Sequence, residues 1–134
     1  MKKVIFICTG NACRSQMAEG FLKHYKSNEY KVYSAGTNPT KVHPAAIKVM
    51  SELNINISNH TSDHMNDFLD KKIDIVITVC DDANQKCPIF PESQKSIHWS
   101  IEDPFINWSD DENLLDPYRK CRDAIKKRIK ELIN

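Results

Sequence analysis

No apolar run in this chain approaches the roughly twenty residues needed to span a bilayer, so a membrane helix is not expected. Neither sign of charge predominates: 19 Lys and Arg stand against 18 Asp and Glu, for a formal charge of +1. Neither gathers into a long run outside Lys126-Lys127-Arg128. Composition therefore gives no case for nucleic acid. Internal repeats, low-complexity tracts and linkers are absent, and 134 residues suffice for one core but not for two ordinary domains. A single domain over residues 1–134 is expected. Met1-Lys2-Lys3 runs directly into Val4 to Ile7, which Thr9-Gly10-Asn11 ends, so the start reads as a strand and not as a secretory signal. The chain is expected to stay in the cytosol, where structural disulfides are rare. Cysteine is not scarce, however. Five of them in a reducing compartment need a chemical reason.

Hydrophobic period gives the architecture. Val4-Ile5-Phe6-Ile7 and Ile73-Asp74-Ile75-Val76-Ile77 are short, branched and bounded by polar turns, as buried parallel strands are, and Tyr30 to Ser34 makes a third. Between them, Met17, Ala18, Phe21, Leu22 and Tyr25 share one helical face, as do Ala46, Val49, Met50 and Leu53. Tyr118, Ile125, Ile129, Leu132 and Ile133 predict a closing helix, with Asp116-Pro117 at its N-cap and first turn. Strand alternating with helix implies an α/β domain: a parallel sheet with helices on both faces and a ligand site beyond the carboxyl ends of the strands. The least regular stretch is Asn84 to Asn113, with three of the six prolines.

The first strand ends in Cys8-Thr9-Gly10-Asn11-Ala12-Cys13-Arg14-Ser15, after which a helix begins. A loop between a strand and a helix N-terminus points successive N–H groups inward, and the helix dipole adds positive potential. A tetrahedral oxyanion fits there, held by the backbone of Thr9, Gly10, Asn11, Ala12, Cys13 and Arg14. The Arg14 guanidinium is a planar fork for two of its oxygens. The same field is expected to lower the Cys8 thiol pKa and make it a nucleophile, with Ser15 donating to the thiolate. Gly10 permits a tight turn, and Asn11 tolerates left-handed backbone. Cys13 and Cys121 read as structural core positions, and His43 and His60 as loop residues.

From Ile7 to Gly20 the chain resembles the opening of thioredoxin-coupled arsenate reductases of the low-molecular-weight protein tyrosine phosphatase family. It is similar, less completely, to the phosphatases themselves. The likeness continues through Val32-Tyr33-Ser34-Ala35-Gly36, Ile57-Ser58-Asn59-His60-Thr61-Ser62, Val79-Cys80, His98-Trp99 and Asp103-Pro104. The fold it implies is a low-molecular-weight phosphatase-like domain with about four parallel strands. The activity it implies is reduction of arsenate in which Cys8 forms an adduct, Cys80 attacks Cys8 to expel arsenite, and Cys87 attacks Cys80. Thioredoxin then re-reduces the Cys80–Cys87 disulfide, and some phosphatase activity remains. The implied proton donor is Asp103, before Pro104; Asp116-Pro117-Tyr118 imitates the phosphatase acid motif but is explained as a helix start. Phosphatases have no use for Cys80 and Cys87, and zinc would want four ligands at closer spacing.

The resemblance further implies that some members hold potassium through positions matching Asn11, Glu19, Ser34 and Asp63, with Thr61 close by in sequence. Glu19 and Asp63 could equally anchor the loop by hydrogen bonds. No other cofactor is called for, and a monomer is expected, with an arsenate- or phosphate-like oxyanion and thioredoxin as partners and no nucleic acid or membrane. The rivals are a tyrosine phosphatase, which would need an aromatic wall that the loop-flanking positions do not place, and a redox-sensing anion-binding module.

Overall fold

The computed structural model describes residues 1–86, 90–91 and 93–134. Cys87 of the expected relay lies outside the described residues. Four parallel strands form one sheet in the order β2-β1-β3-β4, with β1 Lys2–Cys8, β2 Tyr30–Gly36, β3 Ile75–Thr78 and β4 Lys95–His98. The expected parallel α/β sheet is present. Val4 to Cys8 are all buried without alternation, so both faces of β1 are covered. The third strand begins two residues later than the hydrophobic run suggested, because Ile73 packs in the core ahead of the ladder and the Asp74 N–H turns to the Lys3 carbonyl.

Each helix follows from its apolar stripe. α1 (Arg14–Lys26) buries Met17, Ala18, Phe21 and Leu22, and places Lys23, His24 and Lys26 in its last turn, where the dipole favours cations. α2 (Pro44–Ser51) starts on a proline and is capped by His43, whose side chain accepts the Ala45 N–H at 2.9 Å. A short α3 (Asp81–Lys86) follows β3. α4 (Asp116–Ile133) packs across α1 and α2, where Arg122 donates to the Val49 carbonyl near the end of α2 at 2.9 Å. Asp116 is not the N-cap of α4: it stands in the first turn and pairs with Arg119 at 2.9 Å. Among the described residues, no helix is long and apolar enough to cross a membrane.

The order of the strands along the chain places the ligand crevice. After β1 the chain crosses to β2 on one side of it, then returns to β3 on the other, so the carboxyl ends of β1 and β3 flank the point where the winding reverses. Open parallel sheets bind ligands in that crevice. Cys8 ends β1, and Cys80 lies two residues beyond β3.

Candidate active site

The loop after β1 is shaped by what happens to its carbonyls. Those of Cys8 and Thr9 accept the N–H groups of Thr37 and Asn38 at 3.1 and 2.8 Å, and that of Gly10 accepts both the N–H and the hydroxyl of Thr40. The Asn11 carbonyl takes Gln16 and Ser62 side chains; those of Ala12 and Cys13 take the His43 and Met17 N–H groups. Every carbonyl from Cys8 to Cys13 is thus turned outward and occupied. The cleft of about 390 Å³ at the loop is lined by Cys8, Thr9, Gly10, Ala12, Cys13 and Arg14, with Asp103, Phe105 and Trp108 on the far side. Asn11 makes the turn possible by adopting φ 49°, a conformation Asn tolerates. Gly36 permits the approach of β2: a Cβ there would stand 2.4 Å from the Thr9 oxygen.

Hydrogen bonding fixes which way protons point. The Asn11 side-chain oxygen accepts the Asp63 N–H, so its amide nitrogen donates, to Ser15 Oγ at 2.7 Å and Ser34 Oγ at 3.0 Å. Ser15 is then free to donate its own proton to Cys8 Sγ, 2.9 Å away, and the Asn11 N–H adds a second donor at 3.2 Å. Ser34 donates onward to Glu19, which also holds Lys23. A chain of polar groups therefore runs from the Lys23 ammonium to Cys8. Of the four residues expected for potassium, Asn11, Ser34 and Glu19 lie in this chain, with Lys23 supplying a positive charge at the Glu19 carboxylate, whereas Asp63 meets it through its N–H and gives its carboxylate to the Thr61 hydroxyl at 2.7 Å. Their oxygen atoms are of the kind that ligates a hard cation.

One expectation is corrected. Burial pushes the Cys8 thiol up, against the lowering by Ser15 and Arg14. Burial outweighs both; Arg14 still lowers the thiol while its Nη1 donates to the Ile101 carbonyl at 3.0 Å and its Nη2 lies 3.6 Å from Asp103.

Cys80 is buried, as a strand-end core cysteine would also be, but its partners are specific. Its Sγ lies 3.4 Å from Thr9 Oγ1, and the Thr9 hydroxyl also meets the Asp82 carboxylate at 3.1 Å. Since a carboxylate only accepts, Thr9 gives its proton to Asp82 and can only accept from Cys80. The Ala83 N–H donates to Cys80 Sγ at 3.3 Å. Cys13 and Cys121 are buried free thiols, as expected, with burial the main cause raising both, Cys121 to about 12.

With this loop at this end of this sheet, family comparison is decisive: the model of the low molecular weight phosphotyrosine protein phosphatases matches residues 3–134. The chain belongs to that family. Among the phosphatase relatives, an arsenate reductase of Halalkalibacterium halodurans is 47% identical over 130 residues, covering 96% of this chain and 94% of the relative. A solved arsenate reductase in the phosphate binding state is similar with a TM-score of 0.80 at 37% identity, covering 99% of this chain and 97% of that one. A thioredoxin-dependent arsenate reductase of Corynebacterium glutamicum gives 0.76 at 32%, over 98% of this chain and 60% of that one.

Three features of this family member escape the sequence. An aromatic wall does face the loop: Phe105 and Trp108 lie 5.2 Å apart, edge to face, and are 44% and 39% exposed. His43, which reads as a loop residue because Pro44 follows, is fully buried under that wall. Gly36, seven residues into a strand, is required by backbone contact. Only the last leaves a local signal, a glycine closing a run of strand residues.

Proposed function

We propose that the chain reduces arsenate to arsenite by a relay from Cys8 to Cys80 to Cys87, with thioredoxin restoring the thiols, acting as a monomer in the cytosol. The observation that carries this reading is the Cys80 thiol seated on Thr9, the neighbour of Cys8. Hydrolysis needs one cysteine, an arginine and an acid; a second thiol beside the first suits a two-electron reduction. The relatives bear the same activity in their names, one of them with thioredoxin.

In the first step the Cys8 thiolate bonds to arsenic(V), and an arsenate oxygen leaves as water with a proton from Asp103. Cys80 then attacks Cys8 Sγ. The sulfur–arsenic bond breaks, its electron pair stays on arsenic as arsenite, and a Cys8–Cys80 disulfide forms. Cys87 attacks Cys80 and frees Cys8 as a thiolate; a thioredoxin dithiol reduces the Cys80–Cys87 bond. In the exchange each attacking thiolate has to reach the sulfur before it, and the helix over 81–86 lies between Cys80 and Cys87 in the chain. The helix over 81–86 must therefore loosen for the last exchange.

The test is NADPH consumption in the presence of arsenate, thioredoxin and thioredoxin reductase. Sustained turnover supports the relay, and its absence with active thioredoxin rejects it. Hydrolysis of aryl phosphates is the second reading, favoured by Phe105 and Trp108 opposite the loop. Potassium would sit among Asn11, Glu19, Ser34 and Asp63 and supply positive charge to the loop's anchor. A melting temperature raised by KCl and not by NaCl supports it; equal melts count against it.

A further inference from the structure

The arm that brings Asp103 to the cleft has no regular structure from Ile101 to Asp111, and Asp103 itself is tied locally only to the Phe105 N–H at 3.0 Å. What holds this arm comes from elsewhere in the chain. The His43 ring accepts the Ala45 N–H at Nδ1, so its proton is on Nε2, and Nε2–H donates to the Asn107 carbonyl at 2.6 Å. The Tyr118 hydroxyl donates to the same carbonyl at 3.3 Å, accepts the Ile106 N–H at 3.3 Å and lies 3.2 Å from His43 Nε2. The His43 ring stacks on Trp108 with centroids 4.9 Å apart, and meets Phe105 edge-on at 5.6 Å. Its backbone N–H meanwhile donates to the Ala12 carbonyl in the loop at 3.0 Å. One fully buried residue therefore bonds the anion loop with its main chain and the acid-bearing arm with its side chain.

We infer that His43, with Tyr118, is a positioning residue that sets the distance between Asp103 and the Cys8 loop by holding the Asn107 carbonyl. The inference rests on Asp103 being the proton donor. Neither ring touches the reacting atoms, so the two act through placement. A misplaced acid harms only reactions that need its proton, whereas damage to the loop harms all of them. The two causes separate by leaving group.

The experiment compares kcat/KM for phenyl phosphate, whose leaving group must be protonated, with that for 2,4-dinitrophenyl phosphate, whose leaving group departs as an anion. His43→Phe is expected to lower the first by about tenfold to a hundredfold and the second by less than about threefold. Tyr118→Phe, which keeps its ring and the fold, is expected to show the same split at smaller size, because one of two donors to Asn107 remains. His43→Gln should recover most of the loss, since its amide N–H can reach the same carbonyl. Asp103→Asn, measured alongside, gives the full effect of losing the proton. Equal losses on both esters, or none on phenyl phosphate while Asp103→Asn shows the split, overturn the positioning role alone. No split in Asp103→Asn removes the proton donor and the positioning role together.

Discussion

The guanidinium of Arg14 lies 3.6 Å from the carboxylate of Asp103. The expected anion-binding guanidinium and the expected proton donor are thus paired at the cleft. With 58% of the Asp103 side chain exposed, this pairing adds little to stability; its effect is to orient both groups toward the cleft.

Replacing Asp103 by Asn should lower phenyl phosphate hydrolysis by about 10²-fold or more while inorganic phosphate still competes, because the lost function is proton transfer and not binding. Asp116→Asn should change activity by less than about twofold, since that carboxylate faces Arg119 on the surface of α4. Steady-state assays of both variants decide the matter, and damage from Asp116→Asn alone would move the acid to the other Asp-Pro pair.

In Cys87→Ser the first two exchanges remain possible, so arsenate should yield one arsenite per enzyme in a single burst and leave Cys8 joined to Cys80. Cys80→Ser should release none above background. Non-reducing peptide mapping reads the bonds directly, and multiple turnover in both variants would eliminate the relay.

Gly36→Ala should cost both stability and activity. Its Cβ would press 2.4 Å from the Thr9 oxygen and 3.0 Å from the Asn11 nitrogen, which are backbone atoms that can move only by deforming the loop. The expected loss is about 1–3 kcal/mol of stability, with phosphate affinity falling as well. In contrast, a Cβ at Gly20 would press on core side chains, Ile57 Cγ2 at 2.7 Å and Met50 Cε at 3.1 Å, so Gly20→Ala should cost stability but leave phosphate affinity as it is, which binding titrations of the two variants will compare.

Acid should weaken the fold before carboxylates protonate. Burial holds His43 and His60 below the ordinary 6.5, so the unfolded chain binds their protons first as pH falls. The stability they contribute is complete above pH 6.5 and declines from there toward their folded values. Glu52 and Asp81, both lowered by hydrogen bonds from their partners, lose their contribution only as pH falls below their ordinary 4.5 and 3.8. Thermal melts from about pH 7 to 5 should therefore fall, and fall less in His43→Gln. A flat profile over this range would contradict the assignment.

The parallel sheet and the anion loop were legible because each is written locally, one as unbroken runs of branched residues and the other as a spacing between a strand and a helix. β4 was not, since Lys95 and Ser96 are exposed at the sheet edge and leave no apolar run to see. The wall of Phe105 and Trp108 was hidden for a different reason. Its course is set by His43 and Tyr118, residues 62 or more positions before and 10 or more after, and no local pattern encodes a partner that distant. The direction of the Cys8 shift has no local signal either, because the burial that outweighs the loop's positive field comes from the surrounding fold.

Because every carbonyl of the anion loop is already occupied, the loop is a receptor of fixed form. A ring of N–H groups whose opposite faces are committed cannot reshape itself around one guest or another, so it measures only form and charge. Arsenate and phosphate are alike in both, so the loop as proposed would admit either. Under the proposed relay, discrimination then falls to redox chemistry, because only a guest able to take two electrons would commit the second thiol.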